Sequence, residues 1–302
     1  MGLTNFPHGV SSFGIPVLGS GGQVPTTTGT YFYVSSITGI TVGAGTSPSS
    51  PCKTVQQAAD KCTASKGDVI IVMPGHTEVL SAAGSITLSK IGVTLVGLGS
   101  GANKPTFTYS ATAATIVVSA ASVTIDNIRL NMGTVIDAVV QGIDLSAADV
   151  TIKNVDVSMS SASFQATSCI ITDANCGNLK IENCVILAPD AGAAEAISLL
   201  GTPNNVQIKN CNINGDFSVA PIHNATGNVL TNLLISDCVL KNDNAGDFAL
   251  ELVSACTGSL VRNFYHSNAL ATAVDPGSCY SFECFACHQV DKNGLLTPGV
   301  DA

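Results

Sequence analysis

The sequence predicts an all-β chain wound as a single-stranded parallel β-solenoid, and three observations predict it. A short pattern of alternating apolar and polar residues recurs about every 27 residues. Nearly every copy breaks its alternation at an Asn or Asp. The connections between copies are rich in Ser, Ala, Asp and Gly.

The clearest copy is VQIKNCNI at residues 206–213. VTIDNIRL from Val123, VTIKNVDV from Val150, LKIENCVI from Leu179, LLISDCVL from Leu233 and SLVRNFYH from Ser259 align with it. Their central apolar residues, Ile125, Ile152, Ile181, Ile208, Ile235 and Val261, are spaced 27, 29, 27, 27 and 26 apart, and VTLVGLG around Leu95 supplies an earlier copy. Such a repeat is too short for a helix-pair array, but it suits one coil of a solenoid whose rungs bury each other's inward faces.

Within a rung, Val206 and Ile208 point inward and Gln207 and Lys209 outward. Asn210 interrupts the alternation, so that Cys211 and Ile213 face inward again. Asn tolerates left-handed backbone, which suits a bend repeated in every coil. Asn127, Asn154, Asn183, Asn210, Asp237 and Asn263 are therefore expected to stack as a structural ladder, each amide bonding its neighbour about 4.8 Å away. A second inward strand follows 16 to 19 residues later in GIDL, CIIT, AISLL and LELV. On the outward side Asp126, Lys153, Glu182 and Lys209 alternate in sign. Opposite charges on neighbouring strands contribute roughly 0.2 to 1 kcal/mol each, so these residues read as register control.

A solenoid must close its ends. Residues 50–68 place Val55, Ala58, Ala59 and Cys62 at helical spacing, which predicts an amphipathic helix over the first coil. The domain organisation expected is an extended N-terminal arm at 1–30, a cap region with its helix at 31–68, the parallel β-helix at 69–290 and a C-terminal tail at 291–302.

The helix TVQQAADKC, followed by GDVIIVMPGHTEVL, IGVTLVGLGSG and rungs of the VTIKN type, resembles the pectate-lyase-like right-handed parallel β-helix proteins. More narrowly it is similar to β-helix proteins of tailed bacteriophages. The resemblance covers roughly residues 30–290 and is far more specific for fold than for activity. It implies a virion structural protein of the decoration or cement type on the capsid exterior, made in the host cytoplasm. It also implies a homotrimer.

The arm, MGLTNFPHGVSSFGIPVLGSGGQVPTTTGT, is Gly-rich and aperiodic, yet it carries Phe6, Phe13, Ile15, Val17 and Leu18. A solvated tail does not need such residues, whereas a segment that orders on binding does. These five are the expected contacts to the major capsid protein.

Composition narrows the partners. Hydrophobic residues make up 45% of the chain and charged residues only 11%, with mean hydropathy +0.38, which suits a surface packed against other subunits. With 12 Lys and Arg and a net charge of -9, there is no basic stripe to displace counterions from nucleic acid. No apolar run of about 18 residues appears, so no membrane span is expected. The opening MGLTNFPHGVSS lacks the pattern of a signal peptide, and Phe6 stands where myristoylation wants Ser or Thr.

Two chemical readings compete. CFACH at 284–288 matches the C-x-x-C-H haem pattern, and Cys279 extends it toward an iron–sulfur spacing. Continued strand alternation would put Cys284 and Cys287 on opposite faces, and no fourth cysteine follows, so no cofactor or metal is expected. Cys184, Cys211 and Cys238 share an inward position with Ile128, Val155 and Phe264, which reads as a demand for apolar volume. Polysaccharide cleavage is the enzymatic alternative, in a tailspike, a receptor-binding protein or a secreted lyase. Asp243, Asp247 and Glu251 form its best carboxylate cluster, while the G-H-G and R-I-K motifs that the resemblance implies for hydrolases are absent. There is no Trp and only five Tyr to stack on sugar rings. No catalytic residue is assigned, and a surface glycan stays open as a ligand.

Overall fold

The computed structural model describes residues 10–12, 15–17, 24–132, 138–161, 165–173, 175–253, 256–268, 274–275, 281–289 and 294–295. It is the predicted all-β parallel solenoid. Three rows of strands run along it. The first row has ten parallel strands, from Tyr31–Val34 and Val69–Val72 through rungs such as Thr124–Asp126 and Gln207–Lys209 to Ser281–Phe285. The second begins at Thr77–Leu80 and includes Arg129–Asn131, Asp156–Ser158, Val239–Asn242 and Phe264–Ser267. The third joins Ile86–Leu88, Ile116–Val118, Val139–Leu145 and Ala166–Thr172 to Leu250–Leu252. Two long strands, Val185–Ser198 and Asn212–Asn224, cross from the second row to the third.

Each aligned copy is two strands at a corner rather than one strand with a kink. In VTIDNIRL the first strand ends at Asp126, Asn127 adopts φ 56°, and the second strand starts at Arg129. Register confirms the rungs, pairing Ile125 with Ile152, Ile152 with Ile181, Ile181 with Ile208 and Ile208 with Ile235. The last copy is displaced by one residue: Ile235 pairs with Leu260, not Val261. Leu260 is the buried member of the two, so burial of the inward residue sets the register and the coil is shorter by one residue than its alignment suggests.

A continuous apolar core fills the solenoid from Phe32 to Cys287. Tyr109 is fully buried, and its hydroxyl donates to the Gly142 carbonyl at 2.8 Å, so the ring fills volume without stranding a polar atom.

The predicted helix forms over Val55–Lys61 and buries Val55, Ala58 and Ala59. Thr54 caps it by accepting from the Gln57 N–H, while the Gln57 side chain accepts from the Thr54 N–H, a reciprocal capping box. The Val55 N–H goes to Glu78 Oε2 at 2.9 Å, and the same oxygen meets Nε2 of buried His76 at 3.0 Å. Nδ1 of His76 accepts from the Ser36 N–H, so Nε2 carries the proton that Glu78 receives.

Contacts cross each of the three expected segment boundaries. The first-row strand Tyr31–Val34 lies inside the span assigned to the cap. The body reaches back to Val24, which packs on Tyr31 and Tyr33, and Thr30 donates its N–H to Asp68 Oδ1 at 2.7 Å. Within the predicted extended arm, Val10–Ser12 pairs antiparallel with Ile15–Val17 as a hairpin that forms its own sheet. At the other end the tail contributes Gly294–Leu295, antiparallel to His288–Gln289, which interrupts the parallel stacking. Among the described residues no helix is long and apolar enough to cross a membrane.

Candidate functional site

Two corners of the coil are built from left-handed residues. At the first, Asn127, Asn154, Asn183, Asn210 and Asp237 have φ between 52° and 57°, and the next member is Arg262 at 52°, not Asn263. The amides of this column do not bond one another in series. Asn127 Nδ2 donates to the Gly97 and Gly99 carbonyls, and Asn154 Nδ2 donates to Asp126 Oδ1. Asp237 and Arg262 replace amides with a two-point ion pair at 2.6 and 2.7 Å.

Asn263 turns inward instead. It accepts from the Cys238 N–H at 2.9 Å and donates to the Ile235 carbonyl and the Tyr265 hydroxyl at 2.8 and 3.0 Å. It thus continues the inward column of Cys184, Cys211 and Cys238, while Phe264, assigned there by alignment, is 41% exposed.

The serial amide ladder lies at the other corner, one residue before each rung. Asn178 donates to Asp149, Asn205 to Asn178 and Asn232 to Asn205, at 2.8, 3.0 and 2.7 Å, and all four residues have positive φ. The outward charge column shows one ion pair, Lys153 to Asp126 at 3.3 Å, while Lys209 turns to Gln207.

The carboxylates proposed from sequence do not all come together: Glu251 lies on the third row, while Asp243 and Asp247 both neighbour the segment at Gly215 and Asp216. Asp243 is engaged by Lys241 at 2.8 Å. Asp247 is pushed up from its usual range by burial and then by Asp216, whose Oδ1 is buried without a hydrogen-bond partner. Glu251 sits in register with His223 on the third row.

His223 is the centre of a polar constellation the sequence reading missed. Its Nδ1 lies 2.6 Å from Glu195 Oε1, and Ser168 donates to Glu195 Oε2 at 3.2 Å. Both His223 and Glu195 side chains are only 12% exposed. Burial alone would raise the Glu195 carboxyl, but the hydrogen bonds from His223, Ser198 and Ser168 outweigh it and hold the group below its ordinary value. A carboxylate only accepts, so Nδ1 of His223 carries the proton, leaving Nε2 as the atom able to exchange one. Ser168 bonds the carboxylate rather than the imidazole, so this is an acid–base pair without a nucleophile in line. The signal was present: 27 and 28 residues, one coil each, separate Ser168 from Glu195 and Glu195 from His223.

The haem pattern resolves into ordinary coil structure. The chain turns at Ala286, φ 52°, so CFACH is not one continuous strand. Cys284 takes the register position beside inward Leu260, and Cys287 is fully buried within 3.9 Å of Asn263 Nδ2. The side chain of Cys284 lies outside the described residues, and the corner at Ala286 breaks the continued alternation on which opposite faces were expected. No group of His, Cys, Asp and Glu suited to a metal occurs among the described residues. Of the five arm residues, Phe6, Phe13 and Leu18 lie outside the described residues, and Ile15 and Val17 form the ends of the second hairpin strand.

No family model and no curated protein matches the sequence. Solved structures do. The chain is similar to pectate lyase Pel9A, with TM-score 0.58 and 13% identity over 84% of this chain and 67% of that one. It is also similar to the pectin methylesterase from Aspergillus niger, with TM-score 0.55 and 14% identity over 89% and 91% of the two chains. Identities this low define the fold class, a pectate-lyase-like parallel β-helix, and no more.

Proposed function

We propose that this chain is a virion structural protein of a tailed bacteriophage, a capsid decoration protein that docks on the major capsid protein. The β-helix is the rigid outward body, and the N-terminal segment is the attachment device. The observation that carries this reading is the hairpin of Val10–Ser12 and Ile15–Val17, a sheet separate from the solenoid, preceding a body that begins at Val24. The sequence likeness to phage β-helix proteins supports the same assignment. Under this reading the protein sits on the capsid exterior as a trimer, and many capsid sites reward individually weak contacts.

A second reading draws on Glu195 and His223. The two similar structures are named for action on pectate and pectin, and a buried acid–base pair on an outward face is the kind of group a polysaccharide-active β-helix would need. Ser168 bonds the carboxylate and not the imidazole, so no nucleophile stands in line with His223 among the described residues, and this makes it the lesser reading.

Cosedimentation with undecorated heads of the source phage tests the proposal, using the full chain and a form starting at Val24. Saturable binding that requires residues 1–23 is the expected result. Failure of both forms to bind, together with cleavage of uronic-acid polymers that Glu195→Gln abolishes, would replace it with the second reading.

A further inference from the structure

The first 52 residues contain no Asp, Glu, Lys or Arg; all 12 basic and 21 acidic residues lie from Lys53 onward. At the chain's average of 11% charged, a stretch of that length would hold about six. The described part of this stretch includes the loop between Val34 and Cys52, and its position is informative. Tyr31–Val34 is the edge strand of the first row. Its outer side is closed by the loop: Tyr33 N–H goes to the Gly45 carbonyl at 2.6 Å, Cys52 N–H to the Tyr33 carbonyl at 2.8 Å and Ser35 N–H to the Cys52 carbonyl at 2.9 Å.

The loop is fixed by further bonds of its own, including Gly39 N–H to Ser35 O at 2.9 Å, Ile40 N–H to Pro51 O at 3.1 Å and Gly45 N–H to Ser50 O at 3.1 Å. Gly39 leaves no room for a side chain, because a Cβ there would strike the Ser35 and Cys52 carbonyls. Yet this pinned loop holds Ile37, Ile40 and Val42 outward at 74%, 51% and 90% exposure. Proteins ordinarily blunt a sheet edge with charge, Lys above all. Here the edge is covered by a rigid, charge-free loop with three large apolar side chains facing out.

We infer that this loop is a preformed docking surface for an uncharged, apolar patch of another protein. The inference rests on the decoration reading, under which that patch belongs to the capsid subunit, and it extends attachment from the arm to the first coil of the body. Charge complementarity decides the occupant: the loop carries no formal charge of its own, and the ammonium of the adjoining Lys53 already donates to the Ser36 carbonyl at 2.7 Å, so the face gains little from a charged partner and strips water from any charge it covers. Binding should therefore depend on apolar burial and be nearly independent of salt.

The test is cosedimentation of the full-length protein with undecorated heads at about 50 and about 500 mM NaCl, a range over which exposed ion pairs are screened away. Wild type, Val42→Asp, Ile37→Glu and the isosteric Val42→Thr are compared, with Val140→Asp as a control at 53% exposure on the third row. All three positions are exposed enough to spare the fold. The expected result is a wild-type affinity that changes less than about twofold with salt, a loss of about tenfold or more for each loop charge, a smaller loss for Val42→Thr and none for Val140→Asp. Wild-type binding that the loop charges leave intact, or that salt dissolves, would overturn the inference and leave the decoration reading standing. No wild-type binding would overturn both. Uptake onto neutral phosphatidylcholine vesicles that Val42→Asp abolishes would assign the loop to a bilayer instead.

Discussion

Asn205 donates its side-chain N–H to Asn178 Oδ1 at 3.0 Å, and the same bond repeats one coil to either side, ending on the Asp149 carboxylate. Each residue serves its corner twice, by accepting left-handed backbone and by tying its coil to the next. Separating the two contributions gives the first prediction. Asn205→Gly keeps the backbone and removes two exposed amide bonds, at a cost of about 1 kcal/mol. Asn205→Ala loses the bonds and also places a Cβ at φ 55°, so it should cost about 1 kcal/mol more. Urea unfolding of both variants checks the difference, which vanishes if the corner is relaxed in solution.

Asn263 gives the second. It is a buried amide with four partners, two of which, the Cys238 N–H and the Ile235 carbonyl, belong to the preceding coil. Asn263→Ala leaves those backbone groups without it and opens a cavity, for a loss of about 2 to 4 kcal/mol. Asn127→Ala, at an accessible corner, should cost less than half as much in the same measurement.

The cap supplies the third. Thr54→Ala removes half of the capping box and should cost about 1 kcal/mol. Thr54→Ser, which keeps the acceptor, should recover most of it. Equal melting temperatures for all three proteins would mean the helix adds nothing to the closure of the first coil.

The contrast between the two corners shows what the sequence reveals and what it hides. Rungs were legible because Ile125, Ile152, Ile181 and Ile208 are each the single large inward residue of their strand, and a one-residue slip would turn them outward. In the last rung Leu260 and Val261 are adjacent and both apolar, so pattern alone could not choose between them. The error carried through to Asn263 and Phe264. The ladder at Asp149, Asn178, Asn205 and Asn232 was missed because left-handed tolerance was sought after each strand and not also before it. The Glu195–His223 pair was hidden for a different reason. Its members come from long strands with register shifts between Ala188 and Glu195, so although one coil separates them they are not paired positions: Glu195 pairs with Ala220 and His223 with Ser198.

Thiol chemistry gives the fourth prediction. Cys62 and Cys169 are buried free thiols. Burial pushes Cys169 up to about 12, and burial, then the nearby Asp68 charge, pushes Cys62 to about 12 as well. At pH near 8 these groups hold almost no thiolate, which is the reactive form. Ellman's reagent should therefore leave Cys62 and Cys169 unlabelled in the native protein and label both in denaturant. Rapid labelling of Cys62 or Cys169 in native buffer would contradict their packing.

Acid stability provides the last. The Glu195 carboxyl is held below its ordinary value of 4.5 in the folded chain, so it contributes stability above the unfolded value that is lost as pH falls through the lower folded one. Asp144 and Asp247 act in the opposite sense, because burial raises both. The total pH profile therefore mixes signs, but a difference between two proteins isolates one group. Glu195→Gln keeps the shape and an acceptor for His223 while removing the titration, and it leaves Asp144 and Asp247 in place. The variant should be less stable than wild type at neutral pH, and the gap should close as pH drops from about 5 toward about 3. Melting temperatures across that window measure it. A gap that stays constant would mean that Glu195 gains nothing from its ionised form, and that His223 and the two serines shape the outward face without holding a charge on it.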